Sequence, residues 1–131
     1  MSTDALVRFH ETFAWVVVVS NLVAGGWALA AHRFLNLRHK SLWWFTGAAQ
    51  ATIVVQVLAG VVLRQKLFEG NDPDHLPFHM FYGFVALFAA AIIYSYRAQL
   101  KDKVYLLYGV GGLFLMGLAL RAIHLNPNQP G

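Results

Sequence analysis

Apolar residues in this chain come in four long, unbroken runs, neither alternating nor confined to one side of a helix. The runs extend over about 13–31, 42–63, 80–96 and 104–123, and the spans they predict over about 9–31, 42–65, 78–97 and 104–124. Each is near the roughly 20 residues that a helix needs to cross a hydrocarbon layer about 30 Å thick. Membrane strands would alternate apolar and polar positions, and a barrel would need many more of them. The connections are short, so sequential helices should run antiparallel. The pattern therefore predicts an all-α, integral membrane four-helix bundle of up-down-up-down topology, one membrane domain over residues 1–131. The first run is too long for a cleavable signal, and it has neither a basic leader nor a small-residue cleavage site, so it is expected to stay as a span.

Composition sharpens this picture. Of 131 residues, 58% are hydrophobic and 12% charged, where a soluble domain carries roughly 25% charged. A domain this small has too much surface to hide such an excess. A soluble enzyme, a disordered tail and a disulfide-stapled module are excluded. With no cysteine, so are thiolate catalysis, cysteine-ligated zinc and iron–sulfur clusters. The net charge of +4 does not point to nucleic acid, because the basic residues flank apolar runs. Arg33, Arg38 and Lys40 fall in the first connection, and Arg97, Lys101 and Lys103 in the third. On the opposite side Arg8, Arg64, Lys66 and Arg121 are mixed with Asp4, Glu11, Glu69, Asp72 and Asp74. The positive-inside rule then predicts a multi-pass protein of the cytoplasmic (inner) membrane, with both termini and the segment 65–78 on the outer side. Trp43, Trp44, Tyr94, Tyr96, Tyr105 and Tyr108 sit where an interfacial aromatic belt is expected on the inner side.

Antiparallel crossing brings the start of the first span, the end of the second, the start of the third and the end of the fourth to one face. His10, His79 and His124 fall at three of those places and Arg64 at the fourth. Ionisable groups at membrane depth suggest a functional site, and two facing imidazoles in a helical bundle are a usual way to hold a b-type haem. Ala14 follows His10 by four residues, and Gly83 follows His79 by four. Small side chains one turn inward on the same face would leave room for a porphyrin. On the second span Gln56, Gly60 and Arg64 form an i, i+4, i+8 stripe. Arg64 and Arg121 stand where haem propionates would emerge, and guanidinium–carboxylate pairing would suit them. A single interfacial histidine is more often an amphipathic anchor, and glycine in a membrane helix is usually packing; the combination carries the haem reading. His32 and His39 read as solvated. His75, beside Asp72 and Asp74, reads as a polar turn, and His75 and His124 remain alternative ligands.

The order of His10, the segment Gln56-Val57-Leu58-Ala59-Gly60, a polar connection and then His79 resembles one half of the haem A synthase membrane fold. The likeness covers about residues 6 to 98. It implies that His10 and His79 are the axial pair on a haem iron. Those enzymes have a glutamate three residues before the first histidine, where Val7 stands here with Glu11 following instead. They also carry two such halves, so haem binding transfers more readily than haem oxidation.

With no histidine at the inner ends of the second, third and fourth spans, a single haem b near the outer face is expected. The expected function is electron transfer or haem handling, with the lipid bilayer, a respiratory complex, a quinone or a second copy as partners, rather than stand-alone catalysis. The alternative is a cofactor-free accessory subunit of a larger membrane complex. A transporter using Ser20, Asn21, Gln50 and Gln56 is disfavoured, since no span carries a mid-membrane charge or a proline break.

Overall fold

The computed structural model describes residues 2–67 and 76–125. Four helices account for most of them: α1 (Thr3–Arg33), α2 (Lys40–Leu67), α3 (Leu76–Ser95) and α4 (Val104–His124), with 3-10 turns at Leu35–Leu37 and Lys101–Lys103. All four are long and apolar enough to cross a membrane, and no strand occurs among the described residues. Glu69, Asp72, Asp74, His75 and the tail from Asn126 lie outside the described residues.

The helix ends are set by polar chemistry that the apolar runs do not report. The Ser2 Oγ accepts from the Ala5 N–H at 3.2 Å, and Asp4 occupies the first turn. This cap and its favourable interaction with the helix dipole start α1 at Thr3, well before residue 9. His10 consequently lies about two turns inside the helix instead of opening it. At the other end, the Arg38 guanidinium donates to the carbonyls of Ala31 (2.7 Å) and His32 (3.0 Å). These are among the terminal carbonyls a helix leaves without intrahelical partners. The Trp27 indole N–H donates to the Leu37 carbonyl at 2.9 Å, and the His39 Nδ1 accepts from the Ser41 N–H at 3.2 Å. His39 is thus an N-terminal cap for α2. α3 ends at Ser95, two residues short of the predicted span, where the Arg97 guanidinium donates to the Tyr94 carbonyl at 2.9 Å.

Neighbouring helices run antiparallel. Near the middle of α1 the Asn21 side chain donates to the Ala49 carbonyl of α2 at 3.2 Å, and near its start the His10 carbonyl accepts from Gln56 further along α2 at 2.7 Å. α4 pairs with α1 in the same sense: Leu29 lies against Gly109, and Gly25 against Gly112. α3 meets α4 through Ile93 against Gly111 and His79 against Ala122. α1 packs on both α2 and α4, α3 packs on α4, and of the four neighbouring pairs α2 and α3 touch least.

The α1–α4 seam is closed by missing side chains. A Cβ on Gly112 would stand 2.8 Å from the Gly25 Cα, and one on Gly25 2.8 Å from the Leu113 backbone nitrogen. Backbones approach this closely only where glycine or another very small residue allows it. Ala28 and Leu115 are fully enclosed beside this seam, and Asn21 is 1% exposed with its amide shared between the Val17 and Ala49 carbonyls. The exterior is apolar: Phe88 is 68% exposed, Leu58 61% and Phe114 55%.

Candidate functional site

Where α2 and α3 splay apart, one cavity forms at the end of the bundle that holds the start of α1, the end of α2, the start of α3 and the end of α4. All four helices contribute to its wall. Its cavity volume is ≈ 100 Å³, below the roughly 300–1,000 Å³ typical of occupied small-molecule and cofactor pockets, so a macrocycle would have to widen the gap between α2 and α3.

His10 and His79 meet in it edge to face. Their ring centroids are 5.9 Å apart and their planes cross at 77°. A metal–imidazole bond is about 2 Å long, so two imidazoles sharing one iron from opposite sides place their centroids roughly 6 Å apart. The spacing suits an axial pair. The His79 ring is oriented by α4: its Nδ1 donates to the Ala122 carbonyl at 2.6 Å. A carbonyl can only accept, so Nδ1 carries the proton and Nε2 keeps its lone pair. Ligating histidines commonly have their second ring nitrogen tied down in this way. The His10 ring is 8% exposed, and its Nδ1 is buried without a hydrogen-bond partner. Such a group is costly unless that nitrogen itself finds a partner.

Gln56 and Gly60 support His10 from α2. The Gln56 amide donates to the His10 backbone carbonyl at 2.7 Å, holding that turn of α1 against α2. A Cβ on Gly60 would lie 3.1 Å from the His10 Cε1. The space expected at Gly60 for a porphyrin is therefore taken up by the His10 ring itself. Ala14 and Gly83 line the cavity as expected, and a Cβ on Gly83 would make only an ordinary 3.7 Å contact with Val57. Arg64, half-buried in the last turns of α2, forms part of the wall.

His124 and Arg121 are not brought into the lining. Both are exposed. Arg121 lies with its guanidinium carbon 5.9 Å from the ring centre of Tyr82, which does line the cavity. The rotation of α4 instead turns Ala122 inward. The Ala122 carbonyl and Tyr82 escaped sequence reasoning. Tyr82 lies one helical turn from His79 on α3 and could have been found; the Ala122 carbonyl carries no residue-type signal. His32 is exposed at the far end, as expected of a solvated histidine, and His39 is exposed there as a helix cap.

Among the described residues no group of three or more His, Asp or Glu converges. Two imidazoles are too few donors for most bare divalent ions. They are the number needed by an iron that already has four nitrogens from a macrocycle. The donor count and the spacing are those of a bis-imidazole haem site; the His10 Nδ1, which ligation through Nε2 would leave unpartnered, adds nothing to that fit. No protein family, curated protein or solved structure matches this chain.

Proposed function

We propose that this chain is an integral membrane protein of the bacterial cytoplasmic membrane, holding one b-type haem between His10 and His79 and serving in electron transfer or haem handling. It would work as a subunit of a respiratory complex or beside a quinone. The observation that carries this reading is the imidazole pair 5.9 Å apart with the His79 Nδ1–H bound to the Ala122 carbonyl. Membrane insertion is supported by four spanning-length apolar helices with exposed Phe88, Leu58 and Phe114 on their exteriors. The basic connections would face the cytoplasm, and both termini and the cavity the outer side. The likeness to one half of haem A synthase supports the same pair. Val7 in place of that family's glutamate argues for binding without oxidation of the macrocycle.

When bound, the haem would supply one-electron exchange at its iron. The chain's own residues do the rest. Ala122 holds the His79 tautomer that leaves Nε2 available, and Gln56 and Gly60 seat His10. Ala14, Ile53, Val57 and Gly83 would give the haem an apolar wall. Arg64 offers a guanidinium to a propionate carboxylate at the rim.

The test is a reduced-minus-oxidised difference spectrum of protein purified after haem-replete expression. An α band in the b-type region is expected, and its absence rejects the proposal. Colourless protein that co-purifies with a larger complex would establish the accessory-subunit reading instead.

A further inference from the structure

The end of the bundle opposite the cavity carries a second concavity, between α3 and α4 beside their connection. Its floor is Ile93 and Gly111, and its sides include Ala89, Ile92, Val110 and Phe114. Gly111 lets Ile93 pack directly on α4, since a Cβ there would stand 2.6 Å from the Ile93 Cδ1. Ile92, Val110 and Phe114 are more than half exposed along its edges. One charged side chain borders this otherwise apolar groove, Lys103, at the end nearest the connection.

The charge around that end is one-sided. The two connections that meet there carry Arg33, Arg38, Lys40, Arg97, Lys101 and Lys103 against the single acid Asp102. Two of these cations are already engaged. Arg38 lies over Tyr105, its guanidinium carbon 4.5 Å from the ring centre, and donates to α1 carbonyls. Arg97 stacks on Tyr94 at 3.6 Å. Lys103 is exposed at the groove, and Lys101, two residues before it in the same 3-10 turn, is exposed as well.

An apolar trough that ends at lysines has the form of a lipid: a hydrocarbon chain leading to an anionic phosphate. The geometry points to a binding site for an anionic glycerophospholipid, with one acyl chain along Ile93 and Gly111 and its phosphate held by Lys103 with Lys101. Juxtamembrane basic clusters attract anionic headgroups at the membrane surface. The groove adds to that general attraction a slot for one particular chain. The inference rests on the membrane reading but is independent of the haem.

The experiment uses full-length protein in detergent, titrated with phosphatidylglycerol or phosphatidylcholine and followed by native mass spectrometry, with thermal unfolding in parallel. Phosphatidylglycerol should bind in preference and raise the unfolding temperature. The K101Q/K103Q double variant should lose about tenfold or more in phosphatidylglycerol affinity, and K101R/K103R should retain it. Val110→Trp, which fills the groove and leaves both lysines, should also lose binding. Equal binding of the two lipids by the wild-type protein, or unchanged phosphatidylglycerol affinity in K101Q/K103Q, overturns the site. Release of the protein from membranes by alkaline carbonate would instead overturn the membrane reading.

Discussion

Two of the four seams in this bundle are built on opposite rules. Between α1 and α4, Gly25 and Gly112 bring backbones within van der Waals reach, and an added Cβ would stand 2.8 Å from main-chain atoms. Between α2 and α3 the helices barely touch, and the gap is walled by Val57, Gly83 and the two imidazoles. Both seams use glycine, with different partners. Gly25 admits a helix, whereas Gly60 admits a histidine ring. One seam closes to backbone distance, and the other leaves a space bordered by all four helices.

The sharpest way to break this comparison is to load both seams. Gly112→Val places carbon against the Gly25 backbone and should cost about 3 kcal/mol, read as a lowered midpoint of denaturation in mixed micelles. Gly26→Val, one position along from Gly25 where nothing lies within 4 Å, should change the midpoint little. Comparable losses at the two positions would mean that the close seam is not what holds the bundle.

The next largest effect belongs to the open seam. His79→Ala and His10→Ala should each abolish the low-spin haem spectrum, while His32→Ala leaves it intact. The two imidazole variants should remain folded, because the α1–α4 seam is untouched. A haem spectrum that survives loss of either ring removes that ring from the ligand pair.

Smaller changes separate seating from space. Gly60→Ala presses on the His10 Cε1 from 3.1 Å and should weaken haem retention by about tenfold, the low end for changes in groups that orient ligands. Gly83→Ala meets only an ordinary contact, so it should leave the apoprotein's stability unchanged. Any loss of haem in that variant would report the cofactor's own need for space. Indistinguishable behaviour of Gly60→Ala and wild type in haem titration would dismiss the seating role.

The mildest test concerns Asn21, which bridges α1 to α2. Asn21→Leu removes the donor shared by the Val17 and Ala49 carbonyls. The cost should be about 1 kcal/mol, near the upper part of the range measured for interhelical hydrogen bonds in membranes. A loss matching that of Gly112→Val would make α1–α2 an equal partner in holding the bundle.

The spans were legible because uninterrupted apolar runs have few alternatives in a short chain. The convergence of His10 with His79 followed from antiparallel order alone. The start of α1 was not legible in hydropathy, since Ser2 and Asp4 extend the helix through polar residues. The rotation of α4 was harder still. Its sequence is apolar on nearly every side, so no stripe indicates which face turns inward, and Arg121 and His124 could not be told from Ala122. Glycines were visible as small positions, but only packing distinguishes Gly60, under an imidazole, from Gly26, which faces open space.

Finally, the tightest contact in the bundle joins the helices farthest apart in the chain. A nascent polypeptide that has made only α1, α2 and α3 lacks both the Gly112 surface that clasps α1 and the Ala122 carbonyl that orients His79. Synthesis of α4 closes the ring of helices and completes the imidazole pair in the same event. Under the proposed haem reading, loading would wait for α4, and α1 to α3 alone would lack a finished clamp.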